Sequence, residues 1–123
     1  MAVRVKRVYD PPAAEDGERF LVERLWPRGV AREAAQLTAW LKDLAPSTAL
    51  RQWFHHDPER WPEFRRRYEA ELQAPEKQAA LLDLAQRARR GTITLVYAAR
   101  DTQHNSALVL KEAVERRLRQ TEE

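Results

Sequence analysis

The stretch TITLVYAA, residues 92–99, constrains this chain more than any other. It is apolar and β-branched on both alternating phases, so a strand built from it has no polar face to turn toward water. Such a strand belongs in the interior of a parallel or mixed sheet, covered on both sides. The rest of the chain must then supply neighbours and covers. VRVKRVY at 3–9 and RFLVERLW at 19–26 read as two further strands, separated by the turn-forming DPPAAEDGE, and could pair as neighbours. LTAWLK at 37–42 is either a third, weaker strand or a helical turn, since Ala, Leu and Lys suit helices.

The covers are helices. Ser47 can N-cap a short helix through Phe54, and Asp57 followed by Pro58 is a second start signal. Beyond it Trp61, Phe64, Tyr68 and Leu72 recur at steps of three and four, an apolar stripe with Arg65, Arg66 and Arg67 on the remaining surface. Pro62 removes a backbone donor and can displace the start of this helix by several residues. A third helix runs from after Pro75 to Gly91, and a fourth from about Asn105 to Gln120, with Leu110, Val114 and Leu118 toward the core. A length of 123 residues suits one domain, 1–123. The expected fold class is α/β: a single compact domain with a small central, mostly parallel or mixed sheet flanked by helices.

Composition narrows the function. Hydrophobic residues at 43% and charged residues at 33% are the balance of a folded soluble domain with a densely charged surface. Neither a membrane-spanning run nor a signal-peptide pattern is present, so a cytoplasmic location and no membrane partner are expected. The absence of cysteine removes disulfides, thiolate nucleophiles and Cys-type zinc sites, and no cofactor is expected. The formal charge is +3, and 18 of the 22 cationic residues are arginine, a mild basicity that identifies no partner class by itself.

Strand phase gives the first functional clue. Val3, Val5, Arg7 and Tyr9 share one face of the first strand, and Phe20, Val22, Arg24 and Trp26 share one face of the second. Each apolar face thus ends in an arginine and then an aromatic residue. A buried guanidinium is costly unless partnered, so Arg7 and Arg24 should either meet carboxylates of the fold or line a cleft at the sheet's end. In WPRG, residues 26–29, Pro27 stiffens the chain and Gly29 permits a sharp exit, so that Arg28 projects from a constrained loop. Planar bidentate donors held in this way suit carboxylate or phosphate.

YAARDTQHN, residues 97–105, gives the second. It joins the end of the central strand to a helix start, the place where open α/β sheets commonly bind ligands. Asp101 could orient His104 for proton exchange, with Asn105 beside them. Capping would account for one of the three. Ser47 reads as a cap rather than a nucleophile, yet its helix start, flanked by Lys42 and Arg51, could complete an anion pocket. HHDPER, residues 55–60, carries potential metal ligands, but adjacent histidines rarely converge on one ion, so no metal site is assigned.

The segments RFLVERLWPRGVAREA, WLKDLAPSTALRQWFHHDPERW, FRRRYEAEL and LVYAARDTQHNSALVLKE resemble the DUF488 family, in its short YeaO-like branch, over nearly the whole chain. The resemblance implies a compact α/β fold and a cluster of polar positions matching Arg24, Trp26, Pro27, Arg28, Gly29, Trp40, Lys42, Pro46, Ser47, Arg51, Asp57, Asp101, His104 and Asn105. The wider family often carries a Cys-His-Arg run after the last strand. Here that segment reads DTQHNSA, without the cysteine or that arginine, so no thiol-based or metal-thiolate role carries over.

The leading reading is an enzyme or binding protein acting on a small phosphate- or carboxylate-bearing molecule. Arg7, Arg24, Arg28, Lys42 and Arg51 are the candidate clamps, Ser47 and Asn105 complete the pocket, and Asp101 and His104 are the candidate proton-transfer pair. The runner-up is a nucleic-acid-binding module using RRR at 65–67, RARR at 87–90 and RRLR at 116–119; a structural or interaction role is third. Those arginine runs are interleaved with Glu and Gln and lack aromatic stacking platforms, as a solvated surface would. Oligomeric state is not legible.

Overall fold

In the computed structural model, which describes residues 2–121, β1 (Ala2–Arg7), β2 (Glu18–Leu21), β3 (Ala39–Trp40) and β4 (Thr92–Tyr97) form one sheet in the order β1-β4-β2-β3. All of its pairings are parallel. The strand that is apolar on both phases therefore lies inside the sheet, with Val3 beside Ile93 on one flank and Phe20 beside Leu95 on the other. The first two strands are not neighbours, contrary to the expectation that they could pair. β4 separates them, because a strand with two apolar faces gains most from the position that covers both.

The helices are α1 (Arg32–Ala35), α2 (Thr48–Phe54), α3 (Trp61–Glu71), α4 (Pro75–Arg90) and α5 (Ser106–Thr121). Ser47 caps α2, its Oγ accepting from the amide of Leu50 at 3.1 Å. Asp57 opens a 3-10 turn, Pro58–Arg60, and α3 begins only at Trp61, which leaves Pro62 in the first turn where its missing N–H costs no helix bond. The ambiguous LTAWLK segment divides. Its centre is the two-residue β3, and Lys42 begins a 3-10 turn to Leu44.

The two faces of the sheet are covered unequally. Phe20, Val22, Ile93, Leu95 and Tyr97 join the main core with Phe64 and Tyr68 of α3 and its C-cap Leu72, Leu81 and Leu84 of α4, and Leu110 and Val114 of α5. Val8, Leu21 and Val96 point the other way, into a smaller cluster under Trp26, Val30, Leu37 and Trp40, with α1 nearby. The expected shared face of Phe20, Val22, Arg24 and Trp26 holds for Phe20 and Val22, in the main core, and for Arg24, which lines the cleft beside Phe54 and Phe64, but not for Trp26. Pairing with β4 runs to Leu21, with one further bond from the Val22 amide to Val96 O at 3.0 Å, and Trp26, freed from the pleat, packs on the opposite side, edge-on to Trp40 with ring centroids 5.4 Å apart. Period-two reasoning fails where hydrogen-bonded pairing ends.

The opposite end of β2 is held by a glycine. Gly17 sits at φ +64°, and a Cβ added there would lie 2.0 Å from the carbonyl oxygen of Thr92. Only a residue without a side chain lets the entry to β2 run this close to the start of β4.

Candidate functional site

Where β2 and β4 end, the chain opens into a cleft of about 560 Å³. Its walls come from four places. The continuation of β2 supplies Glu23 and Arg24; the approach to α2 and the helix itself supply Ala45, Pro46, Arg51 and Phe54; α3 supplies Phe64; and the loop from β4 to α5 supplies Ala98 to Asp101 and His104 to Ser106. His56 completes the rim. The carboxyl ends of parallel strands diverge where their connections leave to opposite sides, which is the physical origin of such a crevice.

Arg24 is half-buried and fixed by the fold. Its Nε donates to the carbonyl of Pro46 at 3.0 Å and its Nη2 to that of Ala45 at 3.1 Å. Arg7 behaves alike, with Nε donating to Ala99 O at 2.9 Å and the guanidinium lying over the Tyr9 ring. Neither arginine makes an ion pair among the described residues. The carboxylate partners considered for them are replaced by backbone carbonyls, which satisfy donors while leaving the positive charge uncompensated. Arg51 and Arg100 are exposed on the cleft wall, and neither side chain is hydrogen-bonded within the described residues.

The loop after β4 is built around Asp101. Its Oδ1 accepts the amides of Gln103 at 2.8 Å and His104 at 3.0 Å, and its Oδ2 lies 2.9 Å from Nδ1 of His104. The Gln103 amide, then the His104 ring, hold the Asp101 carboxyl below its ordinary range. An ionised carboxylate can only accept, so the contact places a proton on Nδ1 and leaves Nε2 of His104 for another partner. The imidazole is also packed edge-on against Trp61, with ring centroids 5.5 Å apart. Asn105 is buried and structural as well as a lining residue: its Oδ1 accepts the amide of Leu108 in the first turn of α5, and its Nδ2 donates to the Asp101 carbonyl.

The structure thus gathers Arg24, Arg51, Asp101, His104 and Asn105 around one cleft, although the first and last of these lie 81 positions apart in the sequence. Arg7, Arg28, Lys42 and Ser47 are not among its lining residues. Arg7 reaches it only through Ala99. Arg28 is exposed, its carbonyl accepting the Tyr9 hydroxyl at 3.1 Å; Lys42 lies over the Trp40 ring; and Ser47 donates from Oγ to Oε2 of Glu71 at 2.6 Å. Glu23, Phe54, His56, Phe64 and Arg100 also line the cleft and were not assigned to an anion site from the sequence. Arg100 could have been, since it adjoins Asp101 at the end of the central strand. His56, weighed in the sequence only as a potential metal ligand within HHDPER, is brought to the rim by two successive left-handed residues, His55 at φ 46° and His56 at φ 55°, which turn the chain after α2.

Four of the helix arginines are engaged with carboxylates. Arg66 and Arg67 both reach Glu63 at 2.7 Å, Arg65 pairs with Glu112, and Arg87 meets Asp83 at 2.9 Å and Glu18 at 2.7 Å. Among the described residues, no three His, Asp or Glu side chains converge as a metal site, and no helix is long and apolar enough to cross a membrane.

Sheet order and cleft position define a small parallel α/β protein with a ligand-sized crevice at its strand ends. The chain belongs to the DUF488 family: residues 2–123 match the model described as "Inactive DUF488-N3 subclade". Relatives include the uncharacterised protein YeaO of Escherichia coli, 44% identical over 110 residues that cover 89% of this chain and 94% of that one. An uncharacterised protein of Mycobacterium tuberculosis is 44% identical over 108 residues, covering 88% of this chain and 89% of its own. No solved structure gives a significant match.

Proposed function

We propose that this protein binds a small phosphate- or carboxylate-bearing molecule in the cleft at the ends of β2 and β4. The observation that carries the reading is the unbalanced charge of that cleft: Arg24 is tied to neutral carbonyls, while Arg51 and Arg100 have no hydrogen-bonded or ion-pair partner among the described residues. Elsewhere on this molecule arginines facing carboxylates pair with them, so guanidinium groups left open in a crevice are available to a ligand. Phe54, Phe64, Ala98 and Ala99 give the crevice apolar walls for the ligand's body.

Asp101 and His104 then serve to present Nε2 to the bound molecule, as a hydrogen-bond partner whose tautomer is set by the carboxylate. Binding without turnover is the form of this function that agrees with a subclade described as inactive. Nucleic acid is the weaker reading, because the 65–67 run and Arg87 are paired with neighbouring carboxylates.

Thermal unfolding in the presence of a panel of phosphates and carboxylates, with chloride-matched controls, tests the proposal. A ligand that binds only the native state raises its stability by about 2.7 kcal/mol at one hundred times its Kd. We expect at least one anion to raise the midpoint and Arg51→Gln to remove that rise. Arg28→Gln, measured beside it, separates a clamp in the WPRG loop from one in the cleft. If no anion shifts the native protein, the proposal is wrong.

A further inference from the structure

The cleft holds a carboxylate that the proposed anion site does not need. Glu23 lies two residues beyond β2, and its position is fixed by its main chain, whose carbonyl accepts the Trp40 indole N–H. Its side chain lines the cleft together with Arg24 and Arg51, yet makes no ion pair with either among the described residues. The one hydrogen bond to its carboxylate is the amide of Ala98 donating to Oε2 at 3.2 Å, so Oε1 is without a donor from the described residues. Burial pushes its carboxyl above the ordinary range, against the Ala98 amide and the charge of Arg51, both of which pull it down. Oε1 is not a buried atom, so it opens onto the cleft, and the two arginines within the same crevice do not close on it.

We infer that the cleft recognises an anion that also carries a nitrogen donor, an amine or N–H group, with Glu23 receiving the donor while Arg51 and Arg24 hold the anionic end. The inference rests on the anion-binding reading above and deepens it. Like charge explains why the two functions need separate walls: Glu23 repels any anion brought close to it, so it lowers affinity for a plain anion and raises affinity for one that offers a cation or N–H at the right end. The apolar side chains of Phe54 and Phe64 line the same cleft, and a ligand body packed against them would shield these groups from water, which strengthens both the attraction and the repulsion.

The test is a matched pair, ethyl phosphate and 2-aminoethyl phosphate, titrated into the native protein by calorimetry at constant ionic strength. A charge-assisted hydrogen bond of ordinary strength corresponds to roughly tenfold or more in Kd in favour of the amino compound. In Glu23→Gln, which keeps an oxygen to accept the Ala98 amide, that preference should fall to about twofold or less, while ethyl phosphate binds as well as before or more tightly. The native-protein comparison stands even if the variant is unstable. Equal Kd values for the two compounds on the native protein would overturn the role of Glu23 and leave the anion site standing. Failure of both compounds to bind would overturn both, and a tenfold preference that survives Glu23→Gln would assign the donor to another group.

Discussion

The sheet carries a charged cluster at each end, and the two are built on opposite principles. Beside the starts of β2 and β4, Asp16 is fully buried; its carboxylate accepts from Nη1 of Arg19 at 2.7 Å, from Nζ of Lys6 at 3.1 Å and from the amide of Ala13 at 3.0 Å. Arg19 in turn donates from Nε to Ala35 O, and the Asp16 carbonyl accepts the Thr94 hydroxyl at 2.7 Å. Burial pushes the Asp16 carboxyl up, but the Ala13, Lys6 and Arg19 hydrogen bonds outweigh it and the net displacement is downward. At the far end Arg24, Arg51, Arg100 and Glu23 face a cleft and make no ion pairs with one another among the described residues, Asp101 and His104 alone being paired there. Charge matched within the fold specifies the fold; charge left unmatched on the cleft wall is the part on which the proposed anion site rests.

The largest expected effect comes from breaking the closed cluster. Asp16→Asn leaves Arg19 and Lys6 without their carboxylate, and breaking a buried pair from one side costs about 3–5 kcal/mol. Urea unfolding measures it directly. A loss below about 1 kcal/mol would erase the distinction between the two ends, since the buried cluster would then hold no more than a surface pair does.

An intermediate effect separates the two arginines within the cleft. Arg24→Gln forfeits two bonds to carbonyls of Ala45 and Pro46, the residues that lead into α2, and is expected to cost about 1–3 kcal/mol. Arg51→Gln removes an exposed side chain with no hydrogen bond among the described residues and should stay within about 0.5 kcal/mol of native stability, while abolishing any anion-induced shift. The comparison is sharpened if stability and ligand response part company in this way. It breaks if Arg51→Gln destabilises as much as Arg24→Gln, because Arg51 would then be a structural group like Arg19.

What could be read from the sequence follows this same division. The strand at 92–97, the caps at Ser47 and Asp57, and the displacement of α3 by Pro62 were legible because each rests on local backbone chemistry. The pairing of β1 with β4 instead of β2 was not, since it depends on which strand profits most from the sheet interior. In the candidate site Asp101 and His104 were legible as a loop pair three residues apart. Glu23 was hidden. It lies on the strand phase opposite Phe20 and Val22, and alternation assigns such a residue to the far face; only the end of pairing with β4 after Val22 lets it line the cleft. The buried pair of Asp16 and Arg19 was equally hidden, inside a segment that reads as turn and strand edge.

The smallest effect expected concerns Asp101, which stands between the two kinds of charge, partnered by the fold and yet on the cleft wall. Its folded-state carboxyl titrates below the unfolded value of about 3.9. A carboxyl lowered in the native state contributes stability that is fully present above the unfolded value and is lost as pH falls through the folded one. Between neutral pH and about pH 5 the contribution should therefore be flat, and below about pH 4 it should decline. Carbon-detected NMR of the Asp101 carboxyl measures the displacement, and acid unfolding of native protein against Asp101→Asn measures its consequence. The Asn variant keeps an oxygen for the Gln103 and His104 amides but no charge to hold the proton on Nδ1 of His104, so it should lose less stability on acidification than the native chain. A midpoint at or above the ordinary carboxylate value would mean that the bonds to Gln103 and His104 are not maintained in solution, and the loop would then present His104 to the cleft in no fixed tautomer.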